Sequence, residues 1–153
     1  MGEDPLEHAR QVAIALLARR DFASTELQAK LESRGVTREV AARLIGELIA
    51  ERALDDARVA ASYATTRAAR GLGPVRIGAD LRALGVAGEL IQAALESAAD
   101  WGVRAGEVRE KRFGRELPRG WPQRARQARF LQYRGFSSDH IRSALGADFD
   151  QDE

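Results

Sequence analysis

The apolar positions of this chain repeat on two scales. On the short scale, Val40, Ala41, Leu44, Ile45, Leu48 and Ile49 recur at helical intervals and share one broad face. Leu90, Ile91, Ala94 and Leu95 repeat that spacing; Ala9, Val12, Ala13, Leu16 and Leu17 predict an earlier helix, and Val59 with Tyr63 begin another. On the long scale, Gly35, Gly85 and Gly135 stand 50 residues apart, and apolar columns align around them without a gap. Leu31, Leu81 and Leu131 lie four residues before the glycine, and Val36, Val86 and Phe136 lie one after. Ala41, Ile91 and Ile141 then align, as do Ile45, Leu95 and Leu145. A fixed period of this length is the signature of a repeat architecture.

Each unit reads as helix, helix, glycine turn, helix. The glycine follows a periodic apolar segment, where the residue ending a helix turns left-handed at little cost only if it lacks a Cβ. Thr37, and Ser137 or Ser138, then stand where an N-cap opens the next helix. Gly71-Leu72-Gly73-Pro74 closes one helix and puts proline in the first turn of another. In the third unit Pro118, Gly120 and Pro122 predict a loop. No segment calls for a strand. The expected fold is all-α: three tandem three-helix bundles over residues 1–53, 54–99 and 100–147, then an acidic, disordered tail at 148–153. Units of about 50 residues are too small for much independent stability, so they are expected to stack into an elongated, curved array.

Composition narrows the chemistry. Aromatics make up 6% of 153 residues, so the core must be aliphatic and alanine-rich. The absence of cysteine excludes disulfides, thiol nucleophiles and cysteine-bound zinc. No apolar run is long enough to span a bilayer. The start Met1-Gly2-Glu3-Asp4-Pro5 lacks a basic leader, and Leu6 stands where a myristoylation signal needs Ser or Thr. These features suggest a cytoplasmic protein without membrane contact. The formal net charge of +1 conceals an asymmetry: residues 101–134 carry 10 basic and 3 acidic side chains, whereas residues 135–153 carry 1 and 5. All the basic residues except Lys30 and Lys111 are arginine, the better partner for forked contacts with carboxylate or phosphate.

Catalytic and metal chemistry find little support. His8 and His140 have no ligand-spaced partner, and His140 falls in the column of Val40 and Leu90, which suits a partly buried neutral imidazole. Asp55-Asp56 precedes a helical run and reads as a helix start. Gly71, Gly73 and Gly78 lack the spacing, the strand and the Gly-Lys-Ser/Thr ending of a phosphate loop. No catalytic residue, metal site or cofactor is expected. The arginines are more telling. On a wheel of residues 124–134, Ala128 and Leu131 face the repeat core, while Arg126, Arg129, Phe130 and Tyr133 fall opposite. Arginine interleaved with aromatics suits nucleic acid or an acidic protein groove; the competing reading packs both aromatics inside. A second basic stretch runs through Arg67, Arg70, Arg76 and Arg82, with no acid between residues 57 and 79. Lys111 and Arg112 complete the candidate set.

Five strings carry a resemblance to a known family: Arg19-Arg20-Asp21-Phe22-Ala23-Ser24; Leu54-Asp55-Asp56-Ala57-Arg58; Arg70-Gly71-Leu72-Gly73-Pro74 with Arg76-Ile77; Lys111-Arg112-Phe113-Gly114; and Arg129-Phe130-Leu131-Gln132-Tyr133-Arg134-Gly135-Phe136. In order, and spanning Ala9 to Leu145, they resemble the RecX regulatory proteins. Ala53 and Val59 depart from the pattern, standing where aromatics are usual. The resemblance implies tandem three-helix repeats and a non-enzymatic modulator, usually an inhibitor, of the RecA recombinase. It further implies a place in the groove of the RecA–DNA filament, restraining strand exchange, ATP turnover and the coprotease activity behind the SOS response. The candidate residues Arg67, Arg70, Arg76, Arg82, Lys111, Arg112, Arg126, Arg129, Phe130 and Tyr133 rest on charge and wheel position, not on the resemblance. The expected partner is the RecA filament, contacted by a monomer. The alternative is a salt-sensitive DNA-binding protein whose helix pairs act like helix-turn-helix units.

Overall fold

Nine helices account for the described residues, with no strand among them: α1 (Pro5–Leu17), α2 (Ser24–Ser33), α3 (Arg38–Ala50), α4 (Asp56–Ala69), α5 (Pro74–Ala83), α6 (Gly88–Ala98), α7 (Trp101–Phe113), α8 (Trp121–Arg134) and α9 (Ser138–Leu145). The coordinates are a computed structural model that describes residue 2 and residues 4–146; the acidic tail expected at 148–153 lies outside the described residues. The all-α expectation holds, as does the order of helix, helix, glycine turn, helix in each repeat.

Helix ends follow local chemistry. Asp4, Thr37, Asp100 and Ser137 cap α1, α3, α7 and α9 through side-chain oxygens that accept backbone N–H groups. Asp55 Oδ1 accepts the N–H groups of Ala57 and Arg58 at 3.1 and 3.2 Å, which bears out its reading as a helix start. Pro122 differs slightly from expectation: it lies in the first turn of α8, where its missing N–H costs nothing, so the loop spans only residues 114–120.

The three glycine turns share one bonding pattern. Val36 N–H donates to Leu31 O, Val86 N–H to Leu81 O and Phe136 N–H to Leu131 O, each at 3.1 Å, while the glycine before each donates three residues back. That pair of bonds is the Schellman closure. It ties each turn to a leucine that is fully buried, so one 50-residue period carries backbone geometry and core together. Burying a leucine contributes roughly 1.5–3 kcal/mol.

By its contacts the chain forms two compact units. The first comprises the described residues up to Ala60 together with Leu81–Ile91; the second comprises Ala61–Asp80 together with the described residues from Gln92 onward. Residues of the middle repeat thus belong to both. In the first unit, Leu16, Leu27, Leu31, Leu44, Leu48 and Leu54 join α1, α2 and α3 in one core. There Asp56 Oδ1 accepts the Ser24 backbone N–H at 2.8 Å and its hydroxyl at 2.9 Å, which fastens α4 to the start of α2. In the second unit, α7 packs on α9 and α8 around Ala105, Leu131, Phe136 and Ala144. Its firmest seam is backbone on backbone: Gly73 N–H donates to Arg134 O and Val75 N–H to Gly135 O, both at 2.9 Å. The first amides of α5 therefore satisfy carbonyls at the end of α8, an end-to-end pairing of helix dipoles.

Candidate functional site

Three arginines build the frame on which the basic surface stands. Arg109 is only 3% exposed and donates to the carbonyls of Gly114, Arg115 and Glu116 at 3.0–3.3 Å and to Gln127 Oε1 at 3.3 Å, pinning the loop between α7 and α8. Arg124 is likewise buried and donates to Leu145 O at 3.2 Å, holding the end of α9. Arg104 donates to Ala68 O at 2.8 Å and Ala69 O at 3.0 Å, closing the carbonyl end of α4, and pairs with Glu107 at 2.6 Å. Cations at the negative end of a helix are stabilising there. None of the three was among the candidate residues.

On this frame lies a pocket of about 310 Å³ between the end of α4, α7 and α8. Arg70, Lys111 and Arg112, all expected to bind a partner, meet there with Arg134, which was not. Phe130 forms its wall, and Val108 lies under the Gly71 turn. Glu107 is the pocket's carboxylate, already engaged by Arg104. Arg70, Lys111, Arg112 and Arg134 are in no ion pair among the described residues.

The aromatic side of the strip has a defined geometry. Phe113 and Phe130 meet edge to face with centroids 5.3 Å apart. Arg112 stands 5.8 Å from both rings, Arg134 5.4 Å from Phe130 and Arg126 6.0 Å from Phe113, within reach of cation–π attraction. Phe130 is thus half-buried, packed on Phe113 and on the core of its own repeat. Tyr133 is the opposite case: its side of α8 carries Arg126 and Arg129, both exposed, and the residue is 81% exposed.

The arginines of the second basic stretch have different local surroundings. Arg67 lies over the ring of Tyr63, 4.3 Å from its centroid. Burial, with Asp80 accepting the Tyr63 hydroxyl at 3.1 Å, holds that phenol above its ordinary pKa. Arg70 enters the pocket described above. Arg76 packs its Cβ over Gly135 while its residue stays exposed, and Arg82 belongs to the first unit. His140 is half-buried with Nδ1 2.8 Å from Ser137 Oγ. Among the described residues, no group of three or more acidic or histidine side chains could hold a metal ion, and no helix is long and apolar enough to cross a membrane.

Fold and repeat pattern define the class: a protein of tandem three-helix domains. Residues 55–95 match the description "RecX, second three-helix domain" and residues 104–145 match "RecX, third three-helix domain". A regulatory protein RecX of Halorhodospira halophila is 42% identical over 96% of this chain and 92% of its own length. One of Xanthomonas oryzae is 38% identical over 92% and 87%. The crystal structure of RecX from Lactobacillus salivarius superposes with a TM-score of 0.82 at 22% identity, covering 97% of this chain and 98% of that one. The chain belongs to the RecX family of regulatory proteins.

Proposed function

We propose that this protein is a non-enzymatic, cytoplasmic regulator of the RecA recombinase. It acts as a monomer that docks in the groove of RecA–DNA filaments and inhibits recombinase, ATPase and coprotease activity, and so tempers DNA repair and the SOS response. Its working parts are the repeats at 1–53, 54–99 and 100–147. The supporting observation is the surface of α7 and α8, where Lys111, Arg112, Arg126 and Arg129 stand without ion pairs among the described residues, Arg112 and Arg126 beside a fixed aromatic pair. Unpaired cations held in one place repel one another, and a groove lined by acidic side chains and phosphates relieves that repulsion. Arg67, Arg70, Arg76 and Arg82 are further candidate contacts from the middle repeat.

RecA ATPase on single-stranded DNA, titrated with this protein, tests the reading. The rate is expected to fall at or below a stoichiometric ratio. Arg112→Glu with Arg126→Glu and Arg129→Glu is expected to restore most of it, because each reversed charge turns an attraction into a repulsion. Equal ATPase rates with and without excess protein would overturn the proposal.

A further inference from the structure

We propose that the pocket of Arg70, Lys111, Arg112 and Arg134 is a site for a backbone phosphate of a single nucleic-acid strand, with a neighbouring base stacked on Tyr133. The inference rests on the filament reading and deepens it, by assigning this part of the surface to the filament's nucleic acid instead of its protein.

Three features favour phosphate over a protein carboxylate. The first is stoichiometry of charge. Four guanidinium groups and an ammonium border one cavity of about 310 Å³; Arg104 is paired with the pocket's carboxylate, Glu107, which leaves Arg70, Lys111, Arg112 and Arg134 for a ligand. A single side-chain carboxylate brings one negative charge, whereas a nucleic-acid strand carries a phosphate at every nucleotide, so consecutive phosphates can neutralise several clustered cations. The second is preorganisation. Arg112 and Arg134 lie 5.8 and 5.4 Å from the Phe130 centroid, and Phe113 braces that ring. Donors held before the ligand arrives lose less freedom on binding.

The third feature is the continuity of the strip. At 100° per residue, Arg129, Tyr133, Arg126, Phe130 and Arg134 succeed one another around a single arc of α8. One end of the arc is the pocket; towards the other lies a tyrosine 81% exposed, with its ring offered to a flat partner. Cation and exposed ring side by side match a nucleotide, which has a charged backbone and a flat base. In a duplex the bases are stacked on each other, so the ring selects a single strand.

The pocket is also composite. Arg70 comes from the second repeat and the other three cations from the third. Their relative position is fixed by the bonds from Gly73 and Val75 to the carbonyls of Arg134 and Gly135. A Cβ on Gly73 would strike the Gly135 carbonyl group, so glycine is what allows this approach.

The test is binding of labelled oligothymidine to the full chain at several salt concentrations, with a polyglutamate peptide and inorganic phosphate as competitors. Arg70→Gln with Lys111→Gln and Arg112→Gln is expected to weaken oligothymidine binding about tenfold or more. It is also expected to make the dependence of log affinity on log salt shallower by about 0.7 for each phosphate lost. Tyr133→Ala is expected to lose at least about fivefold with the salt slope unchanged, and Tyr133→Phe to retain binding. Arg38→Gln, an exposed cation of the first repeat, is expected to change neither quantity. Inorganic phosphate should compete at high concentration and polyglutamate should not.

Oligothymidine bound equally well by the triple variant would overturn the site, as would an equal loss in Arg38→Gln. Polyglutamate that displaces the strand and is itself lost in the triple variant would hand the pocket to an acidic protein. The same variants carried into the RecA ATPase assay separate the two readings. Inhibition that survives while strand binding never depended on these residues removes the pocket and leaves the regulator. Strand binding that depends on them, without any effect on RecA, keeps the pocket and removes the regulator.

Discussion

Arginine does different work in the first and third repeats. In the first, Arg10 reaches from α1 to Glu47 at 2.7 Å and Glu51 at 2.9 Å on α3. Arg20 pairs with Glu26 at 2.8 Å while lying 3.7 Å over the Phe22 ring, and Arg43 meets Glu47 at 3.7 Å. These cations brace their own bundle. In the third repeat the bracing arginines are Arg104, Arg109 and Arg124, which bind carbonyls, and Lys111, Arg112, Arg126, Arg129 and Arg134 are left without carboxylate partners among the described residues. Both repeats pair some of their arginines with carboxylates, but only the third sets cations without carboxylate partners, Arg112, Arg126 and Arg134, beside a fixed pair of aromatic rings.

The glycine turns sharpen that contrast and give the largest expected effect. Gly35 and Gly135 have the same left-handed conformation, with φ of 90° and 98°, and the same closing bonds. A Cβ on Gly35 would meet open space, whereas one on Gly135 would run into the Cβ and backbone nitrogen of Arg76. Gly35→Ala therefore carries only the cost of placing a side chain in left-handed backbone, about 1–2 kcal/mol. Gly135→Ala adds a backbone clash of about 1–3 kcal/mol, because a main-chain atom cannot swing aside as a side-chain tip does. Chemical denaturation of the two variants should rank them in that order. Equal losses would mean that the third-repeat turn is only a turn, not a seam with α5.

That pair also marks how far the sequence could be read. Leu131 and Gly135 were legible because core and turn both follow from residues within one period, and local pattern fixes local backbone. The approach of Gly73 to Gly135 was not: the two lie far apart along the chain, and neither carries a side chain to leave a pattern. The grouping of Arg67, Arg70, Arg76 and Arg82 rested on sequence proximity, and their local surroundings differ. Arg76 and Arg82, six residues apart on α5, differ by about 240° of helical rotation, and Arg67 is occupied by Tyr63. Arg134 went unnoticed because the wheel sets it close to Gln127, near the buried side of α8. Arg109 and Arg124 did leave a signal, since Arg109 follows Ala105 by four and Arg124 precedes Leu131 by seven. A charge in an apolar register marks a guanidinium buried against carbonyls, a use that polarity alone does not suggest.

The end of α3 offers a smaller effect on the bracing side of the contrast. Arg52 has φ 61°, and the bonds from Arg52 to Ile49 O and from Ala53 to Leu48 O repeat the closure made elsewhere by glycine. Here a residue with a Cβ holds the left-handed position. Arg52→Gly removes that strain but loosens the unfolded chain, so the net gain is about 0.5–1 kcal/mol. A melting temperature that rises by a few degrees would agree. A fall would mean that the Arg52 side chain contributes a contact worth more than the strain.

Acid should separate the two repeats by the smallest margin, and its sign follows from the pairing. Hydrogen bonding from Arg10, aided by its charge, holds the Glu51 carboxyl below its ordinary value of 4.5. The folded state therefore takes up that proton less readily than the unfolded state. The contribution of the pair is complete above the ordinary carboxylate range and fades as pH falls through the depressed folded value. Both side chains face solvent, so the effect is modest and salt weakens it further. The exposed cations of α8 have no carboxylate partner to lose, and for them added salt screens mutual repulsion and stabilises. Amide hydrogen exchange separates the cases. Protection in α1 and α3 should decline on acidification and with salt, and Glu51→Gln should remove its share of the acid dependence. Protection in α8 should rise with salt. A decline in α8 that matches α1 and α3 under both conditions would show that its arginines are braced like those of the first repeat, and the contrast between the repeats would collapse.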